Sequence, residues 1–119
     1  MKQVVNPYLK DLSTVDFLEK TYLLMLNKVK RIKEIEEKRK GEKLPLPLLK
    51  EKFEESSKIL QALGLLSDSI DYSTEMGKEL ADILNNLGIY LTKANIEKGE
   101  ESIRNYNIVI SILEGFLGK

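Results

Sequence analysis

Cysteine, histidine and tryptophan are all missing from this chain of 119 residues, and proline occurs only three times. Without cysteine there can be no disulfide, no thiolate metal ligand and no thiol nucleophile. Without histidine the chain lacks the commonest general base near neutral pH and the commonest metal ligand. We therefore expect no catalytic residues, no metal and no cofactor, and we expect that the protein is not an enzyme.

Net charge and long apolar runs are also lacking. The 19 Lys and Arg residues balance 19 Asp and Glu residues, so no overall field draws the chain to nucleic acid or to an acidic membrane. The densest apolar stretch, residues 108–113, is far shorter than the roughly 18 residues that span a bilayer. The N-terminus has no apolar core of the kind found in signal peptides. We expect a cytoplasmic protein with neither a nucleic-acid nor a membrane partner.

Two charged clusters could still form a functional site, but for each the sequence favours a solvated helix surface. The basic residues between 28 and 40 alternate with glutamates, which cancels the field that a phosphate-binding strip needs. Glu51 and Glu54 share a helical face, but carboxylate metal sites in helical bundles use Glu-x-x-His pairs, and this chain has no histidine. Catalysis by a buried Lys or Tyr remains the only open enzymatic alternative.

Helical periodicity is what the chain has in abundance. Apolar residues recur at steps of three and four over about 13–40, 47–66, 73–95 and 98–117. Turn signals near Gly41, Pro45, Asp71 and Gly99 separate these segments. The pattern predicts one all-α domain, an antiparallel up-down-up-down four-helix bundle preceded by an extended segment over residues 1–12. A coiled-coil dimer is the alternative architecture.

Each predicted helix has one apolar row that we assign to the core. The first helix should be capped by Ser13 or Thr14, and beyond Ile32 its charged end should lie in solvent. The four rows are Val15, Leu18, Tyr22, Met25, Val29 and Ile32; Leu49, Phe53, Ser56, Leu60 and Leu63, widened by Ile59 and Leu66; Met76, Leu80, Ile83, Leu87, Tyr90 and Ala94; and Ile103, Tyr106, Ile110, Leu113 and Leu117.

Helices 3 and 4 each carry a second apolar row beside the first. One interpretation is that both rows are core, since a bundle helix touches two neighbours. The other is that the second row forms a groove for a partner's amphipathic helix, where small residues permit close approach. On the second interpretation the partner-binding residues are Leu84, Gly88 and Leu91 in helix 3, and Val109, Ile112 and Phe116 in helix 4.

Three segments resemble the flagellar export chaperone family FliS. Asn6-Pro7-Tyr8 precedes helix 1 as NPY-type segments do in that family. The segment SIDYSTEMGKELADIL, residues 69–84, resembles the family's pattern at the start of helix 3. The segment YLTKANIEKGEESI, residues 90–103, resembles its junction between helices 3 and 4, and Phe116 falls near an aromatic position of the family.

The resemblance implies a function in the export of flagellin. A FliS-type bundle would bind flagellin's C-terminal segment, which is disordered when free, prevent its premature polymerisation and assist flagellar type III export. An export-gate component or a co-chaperone would be a further partner. Tyr8 matches the family's N-terminal tyrosine, which implies that its segment covers the groove until displaced. Alternatively, Tyr8 simply packs before the cap of helix 1.

A second function stays open beside this one. The chain could be a structural or adaptor bundle that homodimerises through its apolar rows. A flagellin chaperone should be a monomer or a weak dimer with affinity for flagellin. Such an adaptor should show a concentration-dependent mass and no affinity for flagellin.

Overall fold

A computed structural model describes residues 12–118, which form four α-helices and no β-strand. The helices are α1 (Leu12–Glu37), α2 (Leu46–Asp68), α3 (Glu75–Ile96) and α4 (Glu100–Phe116). They form a ring in which α1 contacts α2 and α4, and α3 contacts α4 and α2. The predicted all-α four-helix bundle is confirmed. Tyr8 and the rest of the segment before residue 12 lie outside the described residues.

The first helix differs from its prediction at both ends. It begins before Ser13 and Thr14, so these residues lie inside its first turn and not at the N-cap. At the other end it stops at Glu37. Ile35 and Glu36 are buried, so the charged end expected in solvent reaches into the bundle. The members of its predicted row that are buried are Tyr22, Met25, Val29 and Ile32.

Only part of the apolar stripe predicted as the core face of α2 is interior, since Ser56, Ile59 and Leu66 are buried. Phe53 and Leu60 are exposed, the first by 64%. Lys52 occupies one interior position, because its ammonium group pairs with the buried carboxylate of Glu36 at 2.7 Å. This pairing compensates for burying the charge, so α2 can turn part of its apolar surface outward. The residues of α2 that are buried are Lys52, Ser56, Ile59 and Leu66.

The interior row of α3 lies between the two rows read from the sequence. Met76 is 79% exposed and Ile83 is 40% exposed, so the first row is not the core row as predicted. The interior takes members of both rows, because a helix packed between two neighbours buries the face midway between them. The residues of α3 that are buried are Gly77, Leu84, Leu87, Leu91 and Ala94.

The fourth helix buries a row that starts with a polar residue. The hydroxyl of Ser102 donates to the carbonyl oxygen of Ala94 at 2.6 Å, so its burial leaves no unpaired donor. Phe116 is half-buried, and its ring stacks on Tyr22 with the centroids 4.6 Å apart. This contact ties the C-terminal end of α4 to α1. The residues of α4 that are buried are Ser102, Tyr106, Val109 and Leu113.

The turn before α3 explains why a glycine stands in its first turn. Thr74 is the N-cap residue, and its hydroxyl accepts the backbone N–H of Gly77 at 2.9 Å. A Cβ atom at Gly77 would lie only 1.9 Å from the carbonyl oxygen of Asp71. The small residue therefore permits a close approach, as the sequence suggested, but the approaching segment is this chain's own turn.

Two glycine substitutions should have opposite effects on stability. Gly77→Ala should lower the free energy of unfolding by about 2 kcal/mol, because the turn at Asp71 must move. Gly64→Ala should raise it by about 0.5 kcal/mol, because a Cβ there meets nothing within 4 Å and alanine is the better helix former. Urea denaturation followed by circular dichroism measures both, and a stable Gly77→Ala variant would contradict the geometry.

Aspartate substitutions at two adjacent positions of α3 should distinguish the buried position from the exposed one by their effects on stability. Leu84→Asp should lower the free energy of unfolding by about 4 kcal/mol or more, because the carboxylate would be buried without a partner. Ile83→Asp should leave the bundle folded, since this side chain is 40% exposed. Thermal melts of the two variants check this order, and the reverse order would restore the row assignment made from sequence.

Candidate functional site

The seam between α2 and α3 is the loosest of the four contacts in the ring. Two cavities of 870 Å³ and 460 Å³ lie along it and share Leu60 as a common wall. On α2 they extend from Leu49 to Ser67, which corresponds to about 27 Å of helix at 1.5 Å per residue. We call this continuous depression the α2–α3 groove. It is long enough to hold about five turns of a partner helix.

The walls of the α2–α3 groove are mainly apolar and open to solvent. Phe53 and Leu60 of α2 and Ile89 and Ile96 of α3 line the groove, and all four are exposed. Single exposed apolar residues are normal, but a contiguous set along a depression is typical of a binding surface. The groove therefore supplies exposed apolar contacts about two turns apart on each helix, which suit an amphipathic helix.

Gly88 sets the depth of the groove at its centre. A Cβ at this position would lie 3.3 Å from Cδ2 of Leu63 on α2, so the glycine lets the two helices approach closely here. Leu84 lies beneath it and lines the smaller cavity, although only 2% of its surface is exposed. These residues form the floor of the groove, and the side chains around them form its walls.

The larger cavity has a polar floor beneath its apolar walls. Asn95 lines it, and its Oδ1 accepts the hydroxyl of Tyr106 at 2.6 Å and that of Ser56 at 3.2 Å. Burial raises the pKa of Tyr106, which keeps its hydroxyl protonated as the donor. The Nζ of Lys52 lies 5.7 Å from the centre of the Tyr106 ring, close enough for a cation–π interaction.

A buried carboxylate anchors this polar floor. Glu36 accepts hydrogen bonds from Nε of Arg39 at 2.5 Å, from Nζ of Lys52 at 2.7 Å and from the backbone N–H of Gly99 at 2.7 Å. The φ angle of Gly99 is 67°, a left-handed conformation that favours glycine. One carboxylate thus connects α1, α2 and the turn before α4.

The pKa of Glu36 reflects a competition between burial and these donors. Burial by itself raises the pKa of a carboxyl group, because it disfavours the charged form. The hydrogen bonds from Arg39, Lys52 and Gly99 outweigh burial and lower the pKa to about 2. The carboxylate is therefore ionised at neutral pH, and its two cationic partners leave one positive charge unbalanced.

The residues predicted to bind a partner do not form one surface. Leu91 and Val109 are fully buried in the core, so neither is accessible in this bundle, as the interpretation of both rows as core would have it. Ile112 and Phe116 are half-buried and pack against the core cluster. Tyr8 is outside the described residues. Of the predicted partner-binding residues that the structure describes, only Leu84 and Gly88 line the α2–α3 groove.

Sequence reasoning missed the groove because it placed Phe53 and Leu60 in the core. A signal was present in α2, where Lys52, Ser56, Ile59 and Leu66 also follow a helical row. Reading that row as interior requires an anion to pair with its lysine. The run of glutamates at the end of α1 offered several such anions, and periodicity alone does not select Glu36 among them.

Two kinds of feature are missing from residues 12–118. In this range no set of three or more acidic, cysteine or histidine side chains is grouped as metal ligands would be. No helix in the same range combines the length and apolarity needed to cross a bilayer.

Acid should weaken the bundle through Glu36. In the unfolded chain this carboxyl group has its ordinary pKa of 4.5, against about 2 in the folded state. Its contribution to stability is complete above about pH 4.5 and is lost as the pH falls toward about 2. The Glu36→Gln variant should show a weaker pH dependence in this range. It should also lose about 3 kcal/mol at pH 7, because Lys52 keeps its buried charge without a partner.

The control for this prediction is Glu54→Gln, which changes an exposed glutamate of α2. Its free energy of unfolding should stay within about 0.5 kcal/mol of the wild-type value. Urea denaturation between pH 2 and pH 7 measures all three proteins. Equal pH dependence of Glu36→Gln and the wild type would show that Glu36 is not the group that titrates.

Comparison with known proteins gives no relative from which to assign the site. No family model matches the chain, and neither a curated protein nor a solved structure does. The groove is therefore interpreted from its own geometry.

Proposed function

We propose that this chain is a binding protein that receives an amphipathic helical segment of another protein in the α2–α3 groove. The observation that carries the proposal is the set of exposed apolar side chains, including Phe53 and Ile89, that line both sides of one continuous groove. Such grooves bind helices through apolar residues spaced one turn apart. The polar outer face of the partner would remain in water.

The client that we propose is the C-terminal segment of flagellin, with the chain acting as its cytoplasmic export chaperone. The resemblance of residues 69–84 and 90–103 to the FliS family supports this choice. The second of these segments contains Thr92, Asn95 and Ile96, which line the groove. A segment that is disordered when free spends part of its contact energy on ordering, so it can cover a long groove and still be released for export.

Calorimetry with the purified flagellin C-terminal segment tests the proposal. Binding should be accompanied by a large negative heat-capacity change, because a long apolar surface is buried. Phe53→Ser and Ile89→Ser should each weaken binding about tenfold or more, equivalent to about 1.4 kcal/mol or more. Both side chains are exposed, so the folded bundle should persist.

Matched controls exist for both substitutions. Phe17 is 55% exposed on α1 and Ile83 is 40% exposed on α3, and neither lines the groove. Phe17→Ser and Ile83→Ser should leave the affinity unchanged. If all four variants lose affinity equally, the groove is not the binding site. If flagellin does not bind and light scattering shows a concentration-dependent mass, the chain is a homodimeric adaptor.

A further inference from the structure

The larger cavity is lined by N–H donors that the bundle leaves unused. The ammonium group of Lys52 has three donors, and its hydrogen bond among the described residues goes to Glu36. Its side chain is only 6% exposed and lines the cavity. The Nδ2 group of Asn95 has no hydrogen-bond partner in residues 12–118, since both hydrogen bonds of this side chain are accepted by its oxygen.

The charge around this cavity is positive. Glu36 faces both Lys52 and Arg39, which leaves one cation of this cluster unbalanced. On the rim Lys98 pairs with Glu42 at 2.8 Å. Lys43 also lines the cavity and forms no ion pair with any described residue, while Glu97 is the remaining acidic group of the lining. The field at the floor therefore favours an anion.

Apolar walls limit what kind of anion can enter. Leu44, Pro45, Leu49 and Phe53 surround the donors. A strongly hydrated inorganic ion would lose water to these walls without compensation. A carboxylate attached to an apolar body matches both parts, because its oxygens can accept from Lys52 and Asn95 while its methylene groups contact the walls.

We propose that the larger cavity binds an acidic side chain, Asp or Glu, carried by the helical segment that occupies the α2–α3 groove. This inference rests on the proposed function. It adds a polar recognition element at one end of a mainly apolar groove, the end near α2's first residue, Leu46. The paired carboxylate would fix the register of the segment, because sliding by one turn would leave Lys52 and Asn95 without it.

A small carboxylate tests the cavity without any client. In NMR titrations of the full chain, hexanoate should shift the side-chain amide resonances of Asn95, whereas hexanol should not. Lys52→Met should abolish the hexanoate shift, and Lys58→Met should preserve it, since Lys58 is an exposed lysine of the same helix that does not line the cavity. Equal responses of Asn95 to hexanoate and hexanol would overturn the proposal.

A double-mutant cycle with the flagellin segment tests the register. Each acidic residue of the segment is replaced in turn by its amide. At one position this should weaken binding to the wild-type chain about tenfold, yet change binding to Lys52→Met by less than about twofold. If the segment binds but no acidic position couples to Lys52, the carboxylate site is wrong while the groove stands. If the segment does not bind at all, the choice of client fails, and the hexanoate experiment still decides the cavity.

A second variant distinguishes loss of the carboxylate site from misfolding of the bundle. Lys52 is buried, so Lys52→Met could alter the bundle, and its circular dichroism melt is therefore measured first. Asn95→Ala changes a half-buried residue and leaves Glu36 and its partners intact. It should weaken binding of the acidic segment about threefold to tenfold and leave binding of the amide-substituted segment unchanged. Equal losses for the two segments would indicate a structural role for Asn95 and count against the site.

Discussion

The bundle depends on the hydrogen bonds accepted by the buried carboxylate of Glu36. This group lies on α1, pairs with Lys52 on α2 and accepts the backbone N–H of Gly99 before α4. Three parts of the chain that are distant in sequence therefore meet at one anion. A buried charge is costly unless it is paired in this way, so the pairing fixes which face of α2 points inward. Since Lys52 must face Glu36, Phe53 and Leu60 are turned toward solvent.

This constraint also accounts for the position of the groove. The interior of α2 begins with a lysine and a serine, Lys52 and Ser56, where a fully apolar row would have continued the core. Glu36 pairs with the charge of Lys52, and Asn95 accepts the hydroxyl of Ser56. As a result the apolar walls and the polar floor of the larger cavity have a common origin. The orientation of α2 that brings Lys52 to Glu36 exposes the apolar walls and places the polar floor beneath them.

Periodicity in the sequence was sufficient to predict the number, order and approximate bounds of the helices. It was also sufficient for the core face of α1, where Met25, Val29 and Ile32 are buried. It failed for α2 and α3 because two rows on each helix follow nearly the same spacing. The choice between them is made by a tertiary ion pair in α2 and by packing between two neighbours in α3. Such long-range pairings leave no periodic signal, so the exposed residues Phe53 and Ile83 were assigned to core rows.

The four helix pairs of the ring are not packed equally tightly, so the ring can open most easily at its weakest pair. The tighter contacts run from α2 to α1, from α1 to α4 and from α4 to α3, and the seam between α2 and α3 closes the circle. The four helices thus form three tightly packed pairs, and the ring is closed by the one weakly packed pair, α2 and α3. Local opening requires the least free energy where few contacts must break. Amide hydrogens of α2 and α3 along this edge should exchange with solvent before those of α1 and α4.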